Sequence, residues 1–184
     1  MKVGIILAEG FEECEALIVV DMLRRANIMI DMIGLNSIEV ISSHNITIKS
    51  DLLLDDCDID SYDGIILPGG KLGTSNLDNS EMVKKIVSEF LAEGKLVAAI
   101  CAAPSILGKM GLLRNRNYTC FPTFDGEYGG TYNNVLAIED GNLITGRGMG
   151  ASIEFGRLLI RKLSDEETLS KVEEGIQYYG KYVF

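Results

Sequence analysis

The chain has 184 residues, 47% of them hydrophobic and 24% charged, which is the balance of a globular protein able to bury a sizeable core. Its 27 acidic side chains against 17 basic ones leave a formal charge of −10. That excess excludes the basic surface by which proteins neutralise nucleic-acid phosphates or anionic lipids, so neither nucleic acid nor membrane is expected as a partner.

The opening "MKVGIILAEG" holds a short apolar run, less than the core of a secretory signal and far less than a membrane span, and reads as a first strand of a cytoplasmic protein. "EECEALIVVDMLRRA" follows as a helix whose polar and apolar residues do not segregate cleanly, the pattern of a helix buried on more than one side. "IMIDMIGL" predicts a second strand and "IEVISSHNITIKSD" a hairpin-like excursion. "GIILP" and "LVAAI" are apolar on both faces, as strands of a parallel sheet covered on both sides must be, with the helix "SEMVKKIVSEFLAEG" between them. After "AAPSILGKMG", read as a short helix, "NYTCFP" and "YNNVLAIEDGNLIT" predict further strands around a turn at Asp140-Gly141, and "ASIEFGRLLIRKLS" another helix. Strand and helix in alternation predict a doubly wound α/β sandwich, with ligands at the carboxyl ends of its strands. No composition break, repeat or low-complexity run divides residues 1–184, so one domain is expected.

Four cysteines, at positions 14, 57, 101 and 120, include no C-x-x-C pair, so no metal site or thioredoxin motif is indicated and free thiols are expected. Cys101 directly follows "LVAAI" and precedes a helix with Pro104 in its first turn. That is the layout of a nucleophile elbow with cysteine as nucleophile, where the helix's positive end would favour the thiolate. The competing reading is a small buried hydrophobe. Cys57 lies among acids that should raise its pKa, Cys14 is expected to serve packing, and Cys120 to be a strand core residue. Glu12, Glu13 and Glu15 each read, from the residues alone, as solvated acids at a helix start. "LPGG" at 67–70 either faces backbone amides toward a ligand or makes a tight loop needing positive φ. "GRGMGA" at 146–151 fits G-x-G-x-x-A, but no parallel strand follows to supply a ribose-binding acid, so no dinucleotide cofactor is expected.

Four stretches in order, "ILAEGFEECEALIVVDMLRRANI", "YDGIILPGGKLGTSNL", "VAAICAAPSILG" and "ITGRGMGASIEFG", make the chain resemble the DJ-1/ThiJ/PfpI superfamily, in its DJ-1 branch. The resemblance implies a flavodoxin-like sandwich of the class I glutamine amidotransferase type, a homodimer and an oxidation-prone Cys101. It implies that Glu15 is the partner carboxyl, protonated beside the sulfur and donating a hydrogen bond to it. It raises Gly69, Gly70 and the amide of Ala102 to oxyanion donors, and places Arg147 near the pocket as an anion binder. His44, the single histidine, would approach the other subunit's pocket, where the family often has an arginine; the alternative is an exposed loop histidine.

Departures from the family pattern matter as well. PfpI-type peptidases carry histidine where this chain has Ala102, and some DJ-1 members carry one where it has Phe121, so a Cys-His hydrolase is disfavoured. The resemblance therefore implies action on small reactive carbonyls of the methylglyoxal class, as a glyoxalase or deglycase, without cofactor or metal. The alternative is an oxidation sensor or redox chaperone whose Cys101 becomes a sulfinate; a cysteine hydrolase or amidotransferase stands third.

Overall fold

In the computed structural model, which describes residues 1–178, the strands of β-branched and apolar residues assemble into a seven-stranded sheet. Residues 179–184, which the single-domain expectation also spans, lie outside the described residues. β1 (Lys2–Leu7) leads through α1 (Glu13–Arg25) into β2 (Met29–Gly34). The excursion is a true hairpin: β3 (Glu39–Ile41) pairs antiparallel with β4 (Thr47–Lys49) apart from the main sheet. β5 (Leu52–Leu53) then forms the sheet's edge beside β2. β6 (Gly64–Leu67), helices α2 (Lys71–Asp78) and α3 (Glu81–Ala92), β7 (Leu96–Ile100) and α4 (Pro104–Lys109) follow in order. β8 (Asn117–Tyr118) pairs only with β9 (Thr131–Tyr132). β10 (Ala137–Asp140), β11 (Leu143–Gly146), α5 (Ser152–Leu163) and α6 (Glu166–Gly175) complete the described chain.

The sheet runs β10-β11-β7-β6-β1-β2-β5, and only the β10–β11 pair is antiparallel, turning at Gly141 with φ 62°. Alternate strand residues feed two cores. Val3, Ile5, Ala98 and Ile144 pack under α1 and α5 on one face, while Ile6, Ile65, Val97 and Leu143 pack under α3 and α4 on the other. This is the α/β flavodoxin-like sandwich that the alternation predicts. Because β1 neighbours both β2 and β6, the crossovers reverse direction between β1 and β6, and the crevice opens at the carboxyl ends of those strands.

Two helices lie outside the elements predicted above. α2, "KLGTSNLD", is poor in helix formers; it is held by tertiary hydrogen bonds, Gly73 N–H to Gly10 O at 3.1 Å and Asn76 Nδ2 to Glu9 O at 2.8 Å. α6 does carry a legible start, since Asp165 Oδ1 accepts the Thr168 N–H at 2.7 Å and caps the helix. The strand expected at "NYTCFP" shrinks to two residues. Thr119 N–H donates to a side chain, Thr145 Oγ1, and Phe121 N–H to Cys101 O, so the groups that would build a ladder are used elsewhere. Cys120 is fully buried as expected, but in irregular chain rather than in a strand.

Candidate active site

Four carboxyl ends meet around Cys101. β7 delivers it, α1 after β1 delivers Glu15, the loop after β6 brings Gly69 and Gly70, and the end of β11 brings Gly146 to Gly148. Cys101 itself has φ 64°, a left-handed conformation that costs a side chain on the order of 1 kcal/mol or more. Its own backbone holds it there: the Cys101 N–H donates to Gly146 O at 2.9 Å, and its carbonyl accepts the Phe121 N–H at 2.8 Å. Gly146 packs so closely on β7 that a Cβ there would stand 2.8 Å from Ile100 Cγ1. The "GRGMGA" stretch thus anchors the elbow through Gly146, and the turn after it leads into α5.

With its backbone committed, the sulfur faces inward. Two backbone N–H groups, of Gly70 and Ala102, point at it, and the Glu15 side chain hydrogen-bonds to it. Gly69 is used differently from Gly70: its N–H donates to Glu15 Oε2 at 2.8 Å, while its carbonyl accepts the Glu12 N–H at 3.0 Å. The loop after β6 and the first turn of α1 therefore hold one another, which aims Glu15 at the thiol without a side-chain cap on α1. Gly69 has no room to be anything else, because a Cβ would stand 2.5 Å from both Cys101 Cβ and Glu15 Oε2. Gly70, at φ 88°, would direct a Cβ to within 2.4 Å of Gly10 O, which is the positive-φ loop reading of "LPGG".

Glu15 is 1% exposed, and its burial pushes the carboxyl up to about 7 against the pull of the Cys101 and Gly69 hydrogen bonds. The solvated helix-start reading does not describe it. Burial also pushes the Cys101 thiol up, to about 12, with the Glu15 charge and hydrogen bond adding to the rise and the Gly70 and Ala102 amides opposing it. A depressed thiol, expected from a helix terminus, is thus not the net direction: α4 spans only six residues and starts at Pro104, while the carboxyl sits against the sulfur. Both rises have the same largest cause, desolvation by burial; the Glu15 charge adds to the rise of the thiol, whereas the Cys101 hydrogen bond lowers the carboxyl. Burial likewise raises Cys14, Cys57 and, to about 12, Cys120. Cys57 donates to Leu53 O at 3.3 Å rather than facing the site.

The remaining predicted residues divide between two places. Arg147 lines a cavity beside the elbow together with Phe121, Leu136, Gly148 and Met149. His44 lies within its own chain at the hairpin tip, its exposed ring Nδ1 2.8 Å from Glu13 Oε1 and 3.1 Å from Ser43 Oγ. Glu12, Glu13 and His44 present ligand-type atoms within 4.8 Å of one another, a grouping that spacing in the sequence does not reveal.

Comparison with known proteins gives the family and the fold. A family model described as the DJ-1/PfpI family matches residues 1–162. The chain is 35% identical over 176 residues to Protein dj-1beta of Drosophila melanogaster, covering 94% of each. It is 36% identical over 175 residues to the Parkinson disease protein 7 homolog of Danio rerio, covering 92% of this chain and 93% of that one. A deglycase of Thermococcus kodakarensis is 28% identical over 166 residues, 89% of this chain and 99% of that one. Among solved structures, Drosophila DJ-1beta superposes with a TM-score of 0.90 at 34% identity, covering 96% of this chain and 98% of that one.

Proposed function

The chain belongs to the DJ-1/PfpI family, and from that premise we propose that it is a cysteine-dependent enzyme acting on small reactive carbonyls of the methylglyoxal class. The observation that carries this reading is the buried Cys101–Glu15 pair at a strained elbow, with the Gly70 and Ala102 amides on the sulfur and Gly69 on the carboxyl. In the reactive form of the pair Glu15 carries the proton and donates to sulfur, with the charge on the sulfur facing the Gly70 and Ala102 amides; with the carboxyl at about 7 and the thiol at about 12, this is its minor tautomer.

In the proposed reaction the Cys101 thiolate attacks the aldehyde carbon, forming a C–S bond, and the carbonyl oxygen takes the Glu15 proton. Glu15, now a carboxylate, removes the hydrogen from that carbon as a proton while the hydroxyl proton passes to the neighbouring carbonyl oxygen, and it reprotonates the resulting enediolate at the neighbouring carbon. The two carbons exchange oxidation levels without an external oxidant, leaving a thioester. Water cleaves the C–S bond, releasing a 2-hydroxy acid and the thiol. The relative of Thermococcus kodakarensis named a deglycase lends this class of chemistry support. The reading places the protein in the cytoplasm, where free thiols persist.

A second reading has its own observation. Two amides and a carboxylic acid around one sulfur would equally hold the oxygens of a sulfinate, formed when peroxide oxidises the thiolate in two steps with release of water. In either case a homodimer is proposed. It is supported by a concave apolar patch where the half-exposed side chains of Leu17, Ile18, Ile153 and Ile176 gather beside Asp21 and Met22; light scattering showing a monomer at micromolar concentration would reject it.

Intact-mass spectrometry with methylglyoxal and, separately, with peroxide tests the two readings. A hydroxy acid released without lasting adduct, and lost in Glu15→Leu, is the enzyme's result. Two oxygens gained on Cys101 with no carbonyl turnover would replace it by the sensor.

A further inference from the structure

Gly148 borders both the sulfur and a cavity: a Cβ there would stand 3.9 Å from Cys101 Sγ and 3.4 Å from Phe121 Cδ2. The cavity measures about 410 Å³, and three of its walls are the large apolar side chains of Phe121, Leu136 and Met149. These are 46%, 48% and 54% exposed, a contiguous group rather than scattered surface residues. The Phe121 ring is braced edge-on by Phe124, with centroids 6.4 Å apart at 75°. Arg147 also lines the cavity, and its backbone N–H donates to Leu136 O at 2.9 Å, so the cation and an apolar wall share one backbone contact. Among the described residues no ion pair involves Arg147, which leaves its charge available to a ligand.

We propose that this cavity is the subsite for an apolar substituent, and that the carbonyl compounds taken by Cys101 are 2-oxoaldehydes bearing an aryl or branched alkyl group, with Arg147 on the oxygen-bearing end. The inference rests on the reading of Cys101 as a carbonyl enzyme. Size supports it: roughly 150 Å³ of apolar cavity suffices for benzene, so the methyl of methylglyoxal leaves most of this volume unused. Chemistry supports it as well: Phe121, braced by Phe124, offers an aryl group an aromatic face, and Arg147 a cation for the oxygens.

The test separates the subsite from the reaction. Iodoacetamide labelling of Cys101 is measured in the presence of two products of the proposed class, mandelate with a phenyl group and lactate with a methyl. Mandelate is expected to protect at a concentration at least tenfold lower than lactate. Leu136→Asp, or Met149→Ala should the first not fold, is expected to bring the two concentrations together, and Arg147→Gln to weaken both. Equal protection by the two acids, or protection by neither, overturns the subsite. A preference for mandelate with no turnover of phenylglyoxal or methylglyoxal leaves the subsite standing and removes the carbonyl-enzyme reading.

Discussion

Glu13 and Glu15 stand two residues apart in the first turn of α1, 7% and 1% exposed, and their surroundings drive them in opposite directions. Burial pulls Glu13 upward, but its own backbone N–H, the hydroxyls of Ser42 and Ser43 and the charge of His44 outweigh it, and the carboxyl ends below its usual range. Glu15 feels the same helix terminus, yet burial prevails and holds it near 7, because a sulfur and a single amide are its neighbours. The helix dipole is common to both and so cannot explain the difference. What decides is which element packs against each side of the turn: the hairpin tip with its hydroxyls and histidine, or the glycine loop and the elbow.

The largest effect should mark the inner side only. Cys101→Ser is expected to lower turnover of methylglyoxal by about three orders of magnitude, since the hydroxyl is a far weaker acid than the thiol. Glu13→Gln, on the outer side, should leave that rate within about twofold. A serine variant that turns over normally would break the distinction.

Stability against pH sharpens the comparison through its sign. Because the folded pKa of Glu15 lies above the unfolded 4.5, its contribution is fully present below pH 4.5 and is lost as pH rises through about 7. The loss is on the order of 3 kcal/mol. Glu13 behaves oppositely, contributing above its unfolded pKa and losing the contribution as pH falls through its lowered one. Urea midpoints measured from pH 3 to 8 should flatten above pH 4.5 in Glu15→Gln, whereas Glu13→Gln should be weaker than the parent only on the neutral side. Parallel curves for the two variants would show that the two sides of the turn do not differ.

Gly69→Ala is next, with about 1–3 kcal/mol of destabilisation, because the new methyl must displace Cys101 or Glu15. Gly175→Ala is its control: like Gly69 it has no positive φ, but nothing lies within 4 Å of the added Cβ. Thermal melts should separate the two, and Cys101 alkylation kinetics should change only in the first. The smallest effect is expected from Ser43→Ala, about 0.5–1.5 kcal/mol, through the hydrogen bonds to Glu12 and Glu13. Its Cys101 alkylation curve should superimpose on the parent's, and a shift would mean that the hairpin tip communicates with the sulfur.

Much of this was legible in one dimension because it depends on local rules. Apolar runs such as "GIIL" and "LVAAI" can be satisfied only between two helical layers, and a cysteine directly after such a run is placed at a strand's carboxyl end. The resemblance singled out Glu15 among three acids that composition and helix position treat alike. Other features had no local signal. α2 exists because Gly10 and Glu9 lend it hydrogen bonds from a distant loop, and "NYTCFP" fails as a strand because Thr145 and Cys101 take its donors.

The sequence by itself determined the strand and helix alternation and the place of Cys101 directly after a buried strand. The tertiary structure alone decided that burial raises the Glu15 carboxyl while the hairpin tip lowers that of Glu13. It alone separated the task of Gly69 from that of Gly70, and opened an apolar cavity beside the sulfur. The physical reason is that secondary structure answers to neighbours a few residues away. Protonation and pocket shape answer to groups 30 to 90 residues off in the chain, as Ser43 is to Glu13, and Gly69 and Cys101 are to Glu15.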